Sequence, residues 1–492
     1  MTAPSVITSD TKIESPEASD TQSESLDIDY EAEKRLLRKL DWHILPVVAP
    51  LYVCSFLDRI NIGNARLYGL EEDLNLTGQQ FPIALSLFFV TYVLVEIPSN
   101  LIIKRVGPSR WIPFITFTWG IVATCTGLAQ NFADLVSLRL LLGIFEGGFF
   151  PGVALYLTCF YTKKELAMRL ALFMMNSSIA GAFGGLLAYA IGYMDGTLGY
   201  RGWRWIMILE GIPTCLFATI AFFTLADSPE SAKYLTPTEK TLLRARQARY
   251  ATSRTAAAEH LQRSDILLAL RDWKLYLFSS AGFCTATMIY GYSTFLPTII
   301  RGLNPSWSTL KVQAMTIPCY TGGIISCLLV AWVSDRLQRR GAVAAAATLV
   351  ACSGYVVLLT THGGAAGYAG CMVIPLGMYA ASGVCIAWVA VNMPRYGQRA
   401  VALAMNVMGV NTGGIMMSYI YPKSEGPQYH RGHSVTLSLG LVAVTIMAFL
   451  SWYFSHVNRR RAAGKEDWKA ASLTPDQIEE LGDRSPHFIY TT

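Results

Sequence analysis

Four ionisable side chains lie deep in stretches of sequence that are otherwise apolar. They are Asp58 and Arg59, within about residues 44–64, and Arg139 and Glu146, within about 134–159. Arginine stays charged and presents a planar fork matched to a carboxylate, so Arg59 and Arg139 are candidates to hold a substrate anion. A carboxyl taken out of water resists ionising, while a neighbouring arginine favours the ionised form. Asp58 and Glu146 are therefore candidates to take up and release protons. Arg139 and Glu146 are seven residues apart, two helical turns, and so project from one face.

The surroundings say what must position these groups. Hydrophobic residues make up 52% of the 492 and charged residues 15%, against about 25% charged in an ordinary soluble domain. Residues 1–43, 227–274 and 456–492 hold 42 of the 74 charged side chains, so 32 are spread over the other 364 residues. So little charge cannot cover a water-soluble surface. Apolar windows of about 20 residues, enough to cross a bilayer, begin near 44, 82, 111, 134, 169 and 203, and again near 275, 312, 342, 366, 400 and 434. The expected fold is all-α and membrane-embedded: twelve transmembrane helices in two six-helix bundles, 44–226 and 275–455. An acidic, disordered tail (1–43), a basic linker (227–274) and a second tail (456–492) complete it. The linker, with nine basic and six acidic residues, is expected to form short amphipathic helices on the inner leaflet.

A charge at mid-membrane costs about 2.5–3.5 kcal/mol, so four unpaired would cost about 10–14 kcal/mol, comparable to the whole stability of a domain. The four must face an aqueous cavity, pair with each other, or both. At 1.5 Å per residue, Asp58 and Arg59 lie roughly 21 Å from the inner end of their span, Arg139 about 8 Å and Glu146 about 18 Å from the outer end of theirs. In a core of about 30 Å the Asp58-Arg59 pair and Arg139 reach similar depth, and Arg139 and Glu146 can form a ladder beside the first span.

With both termini cytoplasmic, 31 Lys/Arg fall on the inner side and seven outside; the opposite topology inverts that ratio. Asn75, in the sequence Asn75-Leu76-Thr77, is a glycosylation sequon in the first outer loop. Two sets of six spans joined by a basic loop is the layout of secondary transporters built from repeats.

Ala331-x-x-x-Asp335-Arg336-x-x-Arg339-Arg340 resembles the loop signature of the major facilitator superfamily. There Asp335, Arg336, Arg339 and Arg340 are expected to latch one conformation, as is Arg105 in the first-half copy, Ile103 to Arg110, where Lys104 replaces the usual acid. Asp58-Arg59-Ile60-Asn61-Ile62-Gly63-Asn64-Ala65, with Arg139-x-x-x-Gly143-x-x-Glu146-Gly147, resembles the anion:cation symporter family. Glu96-Ile97-Pro98-Ser99-Asn100, Trp203-Arg204-Trp205 through Leu209-Glu210-Gly211, and Phe295-Leu296-Pro297 are similar to its fungal allantoate permease branch. That resemblance implies a monomeric carrier of a small carboxylate, vitamin-like molecule or ureide, with Asp58 and Glu146 handling protons and the arginines the anion.

Further candidates for the cavity wall are Tyr290 and Tyr292, which flank Gly291, together with Asn176 and Asn411; Asn392 and Asn406 are polar enough to join them. Glu96 and Glu210 lie toward span ends and read as structural. The ten cysteines are scattered through apolar stretches, without a C-x-x-C pair. No Walker loop, dinucleotide motif or H-E-x-x-H occurs, so no metal, cofactor or ATP site is expected, and no nucleic-acid partner or enzymatic activity. The partners expected are a small organic anion, protons and the bilayer of the plasma membrane. Two other readings stay open: a proton-driven exporter of a drug or metabolite, and a nutrient-sensing receptor with the same fold.

Overall fold

The computed structural model describes residues 30–252, 263–361, 364–470, 472–474, 477–478 and 481–492. Its first half contains α1 (Tyr30–Leu67), the short α2 (Leu70–Asp73), α3 (Gln80–Val106), α4 (Pro108–Thr126), α5 (Phe132–Glu146), α6 (Phe149–Thr158), α7 (Lys163–Ile191) and α8 (Gly202–Thr224). Linker helices α9 (Pro237–Thr252) and α10 (Arg263–Leu270) follow. The second half contains α11 (Trp273–Leu303), α12 (Thr309–Leu337), α13 (Arg340–Thr360), α14 (Gly364–Asn392), α15 (Tyr396–Met417) and α16 (His430–Ala462).

Among the described residues ten segments are long and apolar enough to cross a membrane; α4 and α11, outside those ten, stand where the sequence places the third and seventh spans. Helix is what the solvent demands, because in lipid every backbone group must find its partner within the chain. The side chains left facing outward are correspondingly large and apolar, among them Leu94, Phe114, Phe223, Leu329 and Trp452. The helices alternate in direction, so Tyr30, α9 and the described residues beyond 456 share one end, termed inner.

The fourth span runs continuously from Phe132 to Thr158, with a local irregularity at Gly147-Gly148 that keeps helical dihedral angles. It falls immediately after Glu146, where the chain runs against α3: a Cβ on Gly148 would fall 1.7 Å from Ser99 Oγ. One turn earlier, a Cβ on Gly143 would meet Phe88 O at 2.3 Å. The two glycines let α5 lie directly on α3, and that contact fixes the height of Glu146.

The polar segments differ from their expected forms. Residues 30–43, placed by the sequence in a disordered tail, continue α1 as a helix with Leu36 and Leu40 buried; residues 1–29 lie outside the described residues. The linker helix α9 is fastened to the first bundle as well as being basic. Lys39 pairs with Glu239 at 2.8 Å, and Arg246 pairs with Glu33 at 2.6 Å and with Glu165 of α7. Described residues of the second tail also pack on the second bundle. Tyr490 stacks on Phe454 with ring centroids 4.4 Å apart, Asn458 exchanges two hydrogen bonds with its backbone, and Lys274 pairs with Asp483 at 2.8 Å.

Candidate functional site

Arg59 is the centre of the site. It is 8% exposed and projects from α1 toward the seam between the bundles. Its Nε donates to Glu146 Oε1 at 2.7 Å and Nη2 reaches the same oxygen at 2.6 Å. Ser55 Oγ, one turn back on α1, donates to that oxygen as well, at 2.6 Å. Across the seam, Arg59 Nη1 donates to the Tyr290 hydroxyl of α11 at 3.1 Å. The guanidinium also sits over the Tyr92 ring, 4.7 Å from its centroid, a favourable cation–π placement. Glu146 is 0% exposed, and its second oxygen, Oε2, has no hydrogen-bond partner among the described residues.

Asp58 and Arg139 form a second layer. Asp58 turns away from the seam into the first bundle, where Oδ2 accepts from Trp119 Nε1 of α4 at 3.1 Å. Arg139, 2% exposed, donates from Nη1 to the backbone carbonyl of Asp58 at 3.3 Å, and its Nε has no partner among the described residues. The four charges do converge, but only Arg59 lines the cavity; Arg139 stands behind it.

That cavity is narrow, with a volume of about 90 Å³, and opens in part to solvent. Aromatic rings line it from the first bundle (Tyr52, Phe56, Tyr92 and Phe150), and Tyr290, Ser382, Asn406 and Asn411 from the second. Its lining, aromatic rings beside one guanidinium and a few amides, suits a small molecule with one anchored polar end. Tyr290 and Asn411 fall where the sequence placed them. Tyr292 does not reach the cavity wall: it points into the second bundle and donates to Cys371 O at 2.6 Å. Asn176 is half-buried and donates to Phe173 O, while its neighbour Ser177 supplies the cavity contact. Tyr52, Phe56, Tyr92, Phe150 and Ser382 were not legible, because aromatic and small residues are commonplace in apolar helices.

Beyond Arg59, toward the outer end, the bundles close on each other. Ser86 and Tyr419 share a hydrogen bond of 2.9 Å, and Lys423 pairs with Glu71 at 2.8 Å and Glu72 at 3.2 Å. Arg66 also pairs with Glu71, at 2.7 Å. A Cβ on Gly63 would lie 1.9 Å from Thr294 O, so α1 and α11 touch backbone to backbone there. The cavity therefore sits on the inner side of a sealed outer half.

Outside the membrane core, Asp335 pairs with Arg340 at 3.3 Å within its own loop, and Arg336 covers the Trp332 ring. Arg339 and Arg105 are exposed. In the first-half copy the missing acid is supplied from elsewhere in the chain: Asp227, just past α8, accepts from the Ser109 amide at 2.8 Å at the start of α4. Asn75 is exposed at the outer end.

Two helical bundles meeting at a charged cavity, sealed on one side, define a membrane transporter. The Major Facilitator Superfamily model matches residues 48–419, and the chain belongs to that superfamily. It is 37% identical over 477 residues to "Uncharacterized transporter C11D3.18C" of Schizosaccharomyces pombe, covering 96% of this chain and 94% of that one. It is 34% identical to "MFS-type transporter cnsO" of Penicillium expansum, covering 93% and 90%. Among solved structures it is similar to a bacterial homologue of the human lysosomal transporter Spinster in an inward-facing, occupied conformation. That match has a TM-score of 0.58, 16% identity and 90% of each chain covered, a likeness of fold.

Proposed function

We propose that this transporter imports a small organic anion together with protons, by alternating access, as a monomer in the plasma membrane with both termini cytoplasmic. The observation that carries the reading is the placement of Arg59. It is the one arginine on the cavity wall among the described residues, and its fork is already occupied by a carboxylate, Glu146. A substrate carboxylate competes for the same donors. Protonating Glu146 cancels the ion pair and frees the guanidinium for the incoming anion; releasing that proton lets Glu146 reclaim it and expel the cargo. One arginine shared by two carboxylates thus couples proton movement to anion movement without any contact between them.

Tyr290 extends the coupling to the bundle interface, because its bond to Arg59 joins α1 to α11. The aromatic wall suits a carboxylate borne on a ring or a short apolar body, which agrees with the allantoate-permease resemblance. A membrane potential contributes about 2.3 kcal/mol per charge per 100 mV to net inward charge, so carrying more protons than anion charges favours uptake.

Uptake of a panel of labelled carboxylates, nicotinate, pantothenate and allantoate among them, into proteoliposomes with and without an imposed pH gradient tests the reading. Accumulation driven by an acidic exterior is the expected result. Uptake that ignores the gradient sinks the coupling; a gradient that drives cargo outward favours export.

A further inference from the structure

Another arginine lies in the seal above the cavity, and its setting repeats that of Arg59. Arg66 is seven residues further along α1, two turns and about 10.5 Å nearer the outer end, and the two side chains leave the helix within about 20° of each other. Each guanidinium lies over an aromatic ring of α3, Arg59 over Tyr92 at 4.7 Å and Arg66 over Phe81 at 4.8 Å. Each sets its Nε against a carboxylate of the first half, Arg59 against Glu146 and Arg66 against Glu71, both at 2.7 Å. Each also faces α11, where Arg59 donates to Tyr290 and Arg66 lies 5.9 Å from the centre of the Phe295 ring. Between the two levels α1 and α11 touch at Gly63 and Thr294. That contact separates an outer guanidinium from an inner one.

Arg66 has a donor to spare. Its side chain is 8% exposed, and Nη1 is buried without a hydrogen-bond partner among the described residues. A dry, unpaired donor on a charged group is unfavourable, and here it stays dry only while the outer half is shut. What opening changes follows from which half holds each neighbour. Glu71 stays with Arg66, because α2 is tied to α8: Asp73 accepts from Trp203 Nε1 at 3.0 Å and from Arg204 Nε at 3.1 Å. Phe81 belongs to the same half. Phe295 and Lys423 belong to the other and move away with it. Arg66 then stands on the wall of an open vestibule with Nη1 uncovered, and Lys423 faces it, released from Glu71 and Glu72. A guanidinium and an ammonium on opposite walls of one cleft draw in and hold a carboxylate.

We propose that Arg66 is a docking site for the cargo's carboxylate outside the seal, filled before the anion reaches Arg59. The proposal rests on the organic-anion reading above and adds a site to it. Glu71 keeps the place at Arg66 while the outer half is closed. Once the anion has moved down to Arg59, Gly63 closes on Thr294 above it and Lys423 returns to Glu71.

The test compares the two sides of the membrane. Half-saturating concentrations for uptake and for efflux are measured with labelled nicotinate, pantothenate and allantoate, in proteoliposomes holding the full-length protein in one orientation. Arg66→Gln keeps the reach without the charge; it should raise the external constant about tenfold and leave the internal one unchanged. Arg66→Lys keeps the charge without the fork and should give a smaller rise. Glu71→Gln breaks the same ion pair but leaves Arg66 free, so it should not raise the external constant. A role confined to the seal moves Arg66→Gln and Glu71→Gln alike, because both lose one bond. Parallel shifts in those two variants, or external constants equal to wild type in both arginine variants, overturn the proposal. Protection of a reporter cysteine at the outer seal by the same external carboxylates reads docking without transport. If wild type takes up none of them while that protection is present and Arg66→Gln abolishes it, the docking site stands and the transport reading fails.

Discussion

Replacing Glu146 with glutamine separates the two halves of the coupling. Glutamine keeps the shape and an acceptor oxygen for Ser55 and Arg59, now 2.6 and 2.7 Å away, but never carries charge. In wild type at high pH, an anion that takes Arg59 strands an ionised Glu146 that is 0% exposed. Breaking a buried ion pair in this way costs about 3–5 kcal/mol, which at 1.36 kcal/mol per tenfold step is more than about a hundredfold in affinity. The wild-type protein avoids that penalty by taking up a proton. Its anion affinity should therefore fall about tenfold per pH unit once Glu146 must be protonated first. The Glu146→Gln protein should bind with nearly constant affinity across the same range and still exchange anion in counterflow. A pH gradient alone should no longer drive accumulation. Equilibrium binding of labelled carboxylate at stepped pH, with counterflow in the same vesicles, reads both quantities. A glutamine variant whose affinity falls with pH as steeply as wild type would refute the competition for Arg59.

Arg59→Lys should lose most uptake although the charge is kept, because an ammonium cannot hold a carboxylate with its fork and reach Tyr290 at the same time; initial uptake rates check it. Gly63→Ala, whose Cβ would stand 1.9 Å from Thr294 O, should prevent closure of the outer seal and leave a folded protein that labels readily from outside. Lys423→Ala should move the inward–outward balance by only a few-fold, since exposed ion pairs contribute about 0.2–1 kcal/mol, and labelling at the seal measures it. Glu72, on the outer helix α2, is largely exposed; its slight desolvation opposes ionisation, but hydrogen bonds from its own backbone amide and from Lys423 outweigh this and hold its carboxyl below the ordinary value. Its contribution to the seal is therefore present above the ordinary carboxylate range and lost as external pH falls through the lowered value; outer labelling should rise on acidification there.

Charge made the core of the site legible. Asp58, Arg59, Arg139 and Glu146 stood out because few forces keep an ion in an apolar stretch, and they do meet in space. Which of them faces the cavity was not legible, because that depends on how each helix is rotated by packing. Tyr290 and Tyr292 illustrate the limit: two residues apart on a helix they point to nearly opposite sides, so at most one could face the cargo. The twelve spans followed from hydropathy, whereas the irregularity at Gly147-Gly148 depends on α3 lying close by, a tertiary fact. Asp227 could not be connected with the loop at Ser109 from the sequence, since the two are separated by 118 positions and meet only through the fold. The end of the first tail was misjudged for a related reason. Mixed, charged composition reads as disorder until a partner surface is known, and here Glu33 and Lys39 each have one.

The adjacency of Asp58 and Arg59 now acquires a physical reason. Neighbouring residues on a helix diverge by about 100°, so a consecutive acid and base on α1 cannot serve the same compartment. Arg59 turns to the cavity, Glu146 and Tyr290; Asp58 turns into the first bundle, to Trp119. Helix α1 is thus the wall between the cavity and the packed interior of the first bundle, and Arg139 braces it by holding the backbone of Asp58 from α5. On this geometry Arg139→Ala acts on both faces of α1 through its position, while contacting no cargo. It should lower the maximal uptake rate and flatten its pH dependence, and leave the affinity of the folded protein for anion largely intact at low pH. A variant that instead lost anion affinity at every pH would place Arg139 on the cargo itself.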